Sequence, residues 1–207
     1  MIGNLFIGVD RRILRDLVLL HTLIIAASNY LVNFKFEVLG APLALSTFTY
    51  PLIFVATDLT VRLLGKRTAR SVISISWLPG ILASIAVILL TGAPWQAALR
   101  VSLASGFSYV VATLIDVYAF AWLRERFTAW WVAPGASGIV TTIISTYIFF
   151  AAAFYQSTNA FMAENWPVVA TNGIISKIII GTIVILPAYG LLLDWLLGRM
   201  RRDDLDL

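Results

Sequence analysis

Six stretches of mostly apolar residues follow one another along the chain, separated by short segments rich in charge, glycine or proline. Each stretch is long enough for a transmembrane helix, which needs roughly 20 apolar residues to cross the hydrocarbon core of a bilayer. The pattern therefore predicts an all-α membrane protein with six transmembrane helices in a single domain. The predicted spans are about Leu14–Leu31, Leu39–Leu64, Ser71–Leu90, Val101–Leu123, Trp131–Phe154 and Gly173–Leu197.

The composition agrees with a membrane location. Of the 207 residues, 60% are hydrophobic and only 13% carry a charged side chain, which is outside the usual composition of a soluble domain. The net charge is +4, and the basic residues lie mainly at the ends of the predicted spans. This arrangement suits an anionic membrane surface better than a nucleic acid. We therefore expect contacts with membrane lipid and no nucleic-acid partner.

Basic residues lie on one side of the predicted bundle. They precede the first span and follow the second, fourth and sixth spans, whereas the opposite loops contain only Lys35 and Arg100. Because short cytoplasmic loops carry an excess of lysine and arginine, both termini are predicted to be cytoplasmic. The inner group comprises Arg11, Arg12, Arg15, Lys66, Arg67, Arg70, Arg124, Arg126, Arg199, Arg201 and Arg202.

Known signatures of catalysis are missing from the sequence. The chain has no cysteine and one histidine, His21, which excludes zinc thiolate sites and sites built on paired imidazoles. It also lacks a nucleotide-binding glycine-rich loop, a GxSxG turn and an HExxH pair. We expect no enzyme activity, no metal and no cofactor, and an ATP-driven function would need a separate subunit. His21 is expected to be a structural hydrogen-bonding residue.

Two predicted spans carry a polar stripe that ends in an aspartate, Asp58 on the second and Asp116 on the fourth. Charged groups at membrane depth are costly and usually functional, so these stripes should face the bundle or a watery cavity. Asp58 and Arg62 could instead neutralise each other within their helix, whereas Asp116 needs a partner from another helix, a substrate or a proton. The stripes comprise Thr47, Pro51, Phe54, Asp58 and Arg62, and Ser102, Ser105, Tyr109, Thr113, Asp116 and Phe120.

Three further polar features lie within the spans. Lys177, near the outer end of the sixth span, could extend its ammonium to the interface or have a function. Asn29 on the first span could bind a ligand or hydrogen-bond across helices. An aspartate followed by apolar residues and a basic cluster recurs at Asp58, Asp116 and Asp194. This recurrence indicates three helical hairpins, with duplication as a hypothesis.

Several short motifs resemble the bacterial queuosine-precursor transporter family, also called the vitamin uptake transporter family. The most specific is Ala-Thr-Asp-Leu-Thr-Val-Arg at Ala56–Arg62, and the resemblance extends from about His21 to the sixth span. The chain departs from the pattern at Thr142, Ser145 and Gly173, where some members carry amide or carboxylate groups. The motifs are Ser28–Val32, Phe48–Pro51, Ala56–Arg62, Ile115–Val117, Trp130–Pro134 and Ala160–Trp166.

The resemblance implies six helices in the inner membrane and uptake of 7-cyano-7-deazaguanine, a modified guanine used to make a tRNA base. The N–H edge of such a base suits a carboxylate, and its carbonyl suits an amide or a cation. The N–H donors of the base could bind to Asp58 or Asp116, and its acceptors could bind to Asn29, Arg62 or Lys177. Tyr109 or Phe54 could stack on the ring. We expect the substrate between the first, second and fourth spans, with a contribution from the sixth.

Other functions remain open at this point. A substrate-binding membrane subunit of an ATPase-driven vitamin importer would have the same helix count and size. An intramembrane enzyme acting on lipid is disfavoured because no nucleophile with a base is evident. Uptake could be coupled to protons through Asp116 or drawn by consumption of the substrate inside the cell, and the sequence allows either a monomer or a homodimer.

Overall fold

The structure, a computed structural model, describes residues 10–31, 34–38 and 41–203, with side chains for all of these except 35–38, 41–44 and 200–203. A short antiparallel hairpin of β1 (Lys35–Val38) and β2 (Ala41–Ala44) is the exception to an otherwise helical description. Apart from this hairpin, the prediction of an all-α protein is confirmed. The helices are α1 (Arg11–Leu31), α2 (Ser46–Thr49), α3 (Leu52–Leu90), α4 (Trp95–Arg126), α5 (Val132–Phe154), α6 (Ala160–Ile180) and α7 (Leu186–Asp203), with a π-helical segment, Gly181–Ile185, joining α6 to α7.

The helices present large apolar side chains outward, as a lipid-facing surface requires. Leu90 is 84% exposed, Leu191 74% and Ile183 69%, which would be unfavourable over such an extent in water. Five helical stretches of the described chain are long and apolar enough to cross a membrane. They are Arg11–Leu31, Ser46–Leu90, Trp95–Arg126, Val132–Phe154 and Ala160–Arg199.

The long helix α3 is broken at Gly65, whose backbone angles of φ +85° and ψ 164° are not helical. Glycine suits this position because a side chain disfavours positive φ. Beyond Gly65 the chain runs antiparallel to α4. Lys66 pairs with Glu125 at the end of α4, 3.4 Å away, and Ile81 packs against Gly106, much earlier in α4.

Before the break, α3 runs parallel to α4. Asp58 lies beside Asp116, and the backbone carbonyl of Arg62 accepts a hydrogen bond of 3.2 Å from Arg124. Successive residues of α3 before Gly65 thus contact later and later residues of α4, and successive residues after Gly65 contact earlier and earlier ones. The helix α3 is therefore a helical hairpin, and its turn lies beside the C-terminal end of α4.

The core is formed where α1 packs on α3 and α4. Ile25 of α1 lies so close to Gly80 that a Cβ added there would be 2.9 Å from Ile25 Cδ1. His21 is 1% exposed, and its Nδ1 lies 3.0 Å from the hydroxyl of Tyr109. This contact is the one expected of a structural histidine.

Two boundaries differ from the sequence prediction. The second span was expected to begin near Leu39, but Ala41–Ala44 pairs as a strand with Lys35–Val38, and helix begins only at Ser46. The segment after α5 was expected to be an outer loop as far as Thr171. Helix α6 begins instead at Ala160, because Asn159 caps it by accepting a 3.1 Å hydrogen bond from the amide of Met162.

Candidate functional site

A cleft lies between α3, α5 and the helix formed by α6, the π-helical segment and α7. Proline and glycine keep side-chain bulk low along its walls, and the π-helical segment locally widens the helix that closes it. Its lining includes Pro51, Pro134, Gly135, Gly138 and Gly181. Its polar side chains are Asp58, Thr142, Lys177, Thr182 and Tyr189.

Asp58 of α3 and Asp116 of α4 form a buried carboxyl pair. Their exposed fractions are 2% and 0%, and the two side chains lie within hydrogen-bonding distance of each other. Asp58 Oδ1 and both carboxyl oxygens of Asp116 lack a protein donor among the described residues. The hydroxyl of Ser137 is near Asp116 but makes no hydrogen bond of normal geometry. Two carboxyls can hydrogen-bond to each other only through a proton on one of them.

Arg62 lies close enough to Asp58 to act on its charge but forms no ion pair with it in this structure. The ion pairs of the described residues are Arg15 with Asp16 and Lys66 with Glu125, both exposed, and Asp58 takes part in none. Arg62 lies one turn further along α3, in the neighbourhood of Tyr189. The intrahelical pair considered from the sequence is therefore not formed here.

Lys177 of α6 points into the bundle. Its Nζ donates a hydrogen bond of 3.2 Å to Thr146 Oγ1 of α5 and lies 5.0 Å from the ring centre of Tyr50. A lysine that only extends its charge to the interface would leave the bundle instead. Of the two roles open from the sequence, the geometry favours the one inside the protein.

The cleft has an acidic end and a basic end. Lys177 Nζ lies over the ring of Tyr50, which precedes Asp58 by eight residues, or about 12 Å at the helical rise. Lys177, Asp58 and Phe54 line the cleft, and Phe54, 5% exposed, lies midway along the chain between Tyr50 and Asp58. An acceptor and a cationic donor thus flank an aromatic ring, which suits a flat molecule with donors at one edge and acceptors at the other.

Tyr189 of α7 is a cleft residue that the sequence reasoning missed. It is 1% exposed, and its hydroxyl lies near Arg62 but makes no hydrogen bond of normal geometry with a described residue. Its ring stacks on Trp130, with 6.4 Å between centroids and 16° between planes. Its position as a polar group deep in the last span, alongside Lys177 and Thr182, was the available signal.

The other expected site residues lie elsewhere. Asn29 donates a 2.5 Å hydrogen bond to Ser84, and Tyr109 contacts His21, so both are in the packing of α1 on α3 and α4. The cleft lies between the second, fifth and sixth predicted spans, and so shares the second and sixth with the site expected between the first, second and fourth spans with a contribution from the sixth. Asp194, the third aspartate of the suggested repeat, is exposed and does not join the carboxyl pair.

Comparison with known proteins gives the family. The model of a family described as "Putative vitamin uptake transporter" matches residues 44–192. The chain belongs to this family. The identification made from the motifs is thereby confirmed, and the protein is a multi-pass membrane transporter. Every residue that lines the cleft lies inside the matched range.

Two relatives are similar to this chain over most of their length. The "Probable queuosine precursor transporter" of Haemophilus influenzae is 37% identical over 214 residues, covering 92% of this chain and 91% of that protein. The "Queuosine precursor transporter" of Escherichia coli is 37% identical over 193 residues, covering 88% and 87%. No solved structure matches the chain significantly.

Proposed function

We propose that this transporter imports a queuosine precursor, most specifically 7-cyano-7-deazaguanine, across the bacterial inner membrane. The observation that carries the proposal is the cleft with Asp58 at one end, Lys177 at the other and Phe54 between them. The names of the two relatives support the same class of substrate. The protein's part is to bind the base and carry it, without chemical change.

The groups of a deazaguanine match this arrangement. Its neighbouring ring and amino N–H groups can both donate to the carboxylate of Asp58, and its nitrile or carbonyl can accept from the ammonium of Lys177. Its flat face can lie on Phe54. The unpartnered hydroxyl of Tyr189 supplies one more donor or acceptor. In this assignment Asp116 supports Asp58 from behind.

The remaining candidates take other roles in the proposal. Asn29 and Tyr109 hold α1 against the bundle through Ser84 and His21. Arg62 lies at the far side of Asp58 from Lys177 and becomes available to Asp58 when the cleft rearranges. The substrate is thus bound mainly by the second and sixth predicted spans, with the fifth forming the opposite wall.

The membrane topology proposed here has six passes and both termini in the cytoplasm. The reversal of α3 at Gly65 turns the 45-residue stretch Ser46–Leu90 into two passes, with the basic residues after Gly65 on the inner side. Because the chain has no cysteine, single cysteines report sidedness directly. In intact cells a membrane-impermeant maleimide should label Gln96→Cys and leave Lys66→Cys unlabelled, and the reverse result would contradict the orientation.

The substrate is tested by uptake of labelled 7-cyano-7-deazaguanine into cells that cannot synthesise it. Asp58→Asn should reduce the rate about 10- to 100-fold at subsaturating substrate, because it replaces a charge-assisted hydrogen-bond acceptor. Asp194→Asn, on an exposed aspartate, is the matched control and should transport normally. Equal uptake by Asp58→Asn and wild type would refute the assigned role.

Reconstitution separates this proposal from an ATPase-driven importer. The purified protein alone in liposomes should equilibrate the labelled base across the bilayer. A protein that binds the base but never moves it without another subunit would belong to the other class.

A further inference from the structure

We propose that Asp58 and Asp116 form a proton-carrying pair that couples import of one substrate molecule to import of one proton. The inference rests on the proposed function, because it names the coupling ion of the same cleft. It adds a transported species that neither the cleft alone nor the names of the relatives assign.

The geometry of the pair requires a proton. The two carboxyls lie within hydrogen-bonding distance, fully buried, and three of their four oxygens have no protein donor among the described residues. Two ionised carboxylates in contact repel strongly where water is excluded. A single proton shared between the two carboxyls removes one charge and forms the missing hydrogen bond.

No neighbouring group among the described residues supplies a hydrogen-bond donor or an ion-paired cation that could take the place of this proton. Helix α5 offers the pair only the hydroxyl of Ser137. The histidine of α1 is turned to Tyr109 instead. No described cation forms an ion pair with either aspartate. The charged and titratable groups that face this region are Arg62 of α3, Arg124 of α4, Lys177 of α6 and Tyr189 of α7.

The two aspartates differ in their access to the cleft, and this difference assigns their roles. Asp58 lines the cleft, whereas Asp116 lies behind it. When the N–H edge of the substrate meets Asp58 in the cleft, it favours Asp58 as the ionised partner and leaves the proton on Asp116. Loading therefore takes one proton from external water and one substrate molecule, and each favours the other because the protonated pair presents a single, well-directed negative charge.

Arg62 provides the step that releases the proton. It lies one turn beyond Asp58 on the same helix and is not paired with it here. When the substrate has left toward the cytoplasm, the guanidinium can move to Asp58 and provide a positive charge beside the pair. Asp116 then loses its proton to cytoplasmic water, and the empty carrier returns with an Arg62–Asp58 ion pair.

The test uses the purified full-length transporter in liposomes containing a pH dye, with the membrane potential clamped at zero and labelled 7-cyano-7-deazaguanine outside. One proton per neutral substrate predicts about tenfold accumulation for a gradient of one pH unit, acid outside, since each unit corresponds to a tenfold ratio. A substrate gradient alone should acidify the interior. A protonophore should abolish the accumulation but leave equilibration intact.

Asp116→Asn is the deciding variant, because its amide can still donate to Asp58 but cannot release a proton. It should exchange labelled for unlabelled base while losing accumulation and acidification. Asp194→Asn should behave as wild type. Accumulation that persists in Asp116→Asn, or wild-type exchange without any proton movement, would overturn the coupling and leave the proposed substrate standing.

Infrared spectroscopy distinguishes failure of the coupling from failure of the proposed substrate. Wild-type protein without substrate should show the carbonyl stretch of a buried protonated carboxyl, absent in Asp116→Asn and retained in Asp194→Asn. If no labelled base crosses the membrane in any mode, the proposed function fails, and this band still decides on the shared proton. Absence of the band in wild type would refute the proton-carrying pair.

Discussion

Replacing Lys177 by methionine separates a role of this lysine in substrate binding from a purely structural role. The ammonium donates to Thr146 at 3.2 Å and lies 5.0 Å from the ring centre of Tyr50. Methionine keeps a flexible apolar side chain of similar length and removes the charge, so the packing of α6 on α5 is largely preserved. If the ammonium also donates to the substrate, the variant loses a charge-assisted hydrogen bond of about 1.5–3 kcal/mol. The dissociation constant should then rise about 10- to 100-fold.

The assay measures two quantities on the same purified sample. Calorimetric titration with 7-cyano-7-deazaguanine gives the dissociation constant, and thermal unfolding without ligand gives the melting temperature. We expect weaker binding by Lys177→Met at an unchanged or higher melting temperature, since a partly buried ammonium is removed. Lys66→Met, on an exposed lysine, is the control and should match wild type. A dissociation constant within about twofold of wild type, under ~0.5 kcal/mol, would refute the ligand contact, and a lower melting temperature with unchanged affinity would make Lys177 structural.

Three other substitutions test the structure. Gly65→Ala should lower the free energy of unfolding by about 1–3 kcal/mol because φ is +85° there, whereas Gly173→Ala, with open space around it, should be neutral or stabilising in thermal unfolding. Gly106→Ala would place a Cβ 2.5 Å from Ile81 Cγ1 and should cost about 1–3 kcal/mol. Adding Ile81→Ala should recover part of that loss in a double-mutant cycle, and strict additivity would contradict the contact. Tyr189→Phe should leave the melting temperature unchanged or higher while weakening substrate binding, because the hydroxyl has no described partner to lose.

The helical architecture could be predicted because apolar runs of this length have few solutions in lipid. The turn at Gly65 also follows from the sequence, where the glycine is followed by the basic pair Lys66 and Arg67 between two apolar runs. Helix boundaries could not be predicted as well. Hydropathy is low on both sides of Ala160, which predicts a loop there. A helix nevertheless forms where its backbone hydrogen bonds can be completed, and Asn159 sets the start of α6 by capping its first turn.

Individual site residues were predictable, but their arrangement was not. Asp58 and Lys177 stand out because each is an ionisable group within an apolar run. Which helices share a cleft depends on how the helices rotate and cross, and a single sequence does not give these angles. Tyr109 is an example: it belongs to the same polar stripe of α4 as Asp116, but its hydroxyl contacts His21 of α1. The carboxyl pair likewise depends on the rotation of α3 against α4.

Burial of a polar side chain does not by itself mark a functional residue in this protein. Many buried hydroxyls donate to a carbonyl one turn earlier in their own helix, a bond that needs no partner from outside it. The aspartate pair and Tyr189 differ, because atoms of all three lack a described partner and two of the three residues line the cleft; His21 Nε2 and the hydroxyls of Ser102 and Ser137 also lack one but do not line it. A resting carrier must leave such atoms unpaired so that substrate or proton can complete them, at a cost to the stability of the empty protein. Examples of hydroxyls that donate within their own helix are those of Thr57, Thr60, Ser76, Thr113 and Thr141, with donor–acceptor distances of 2.9, 2.7, 2.7, 2.5 and 2.8 Å.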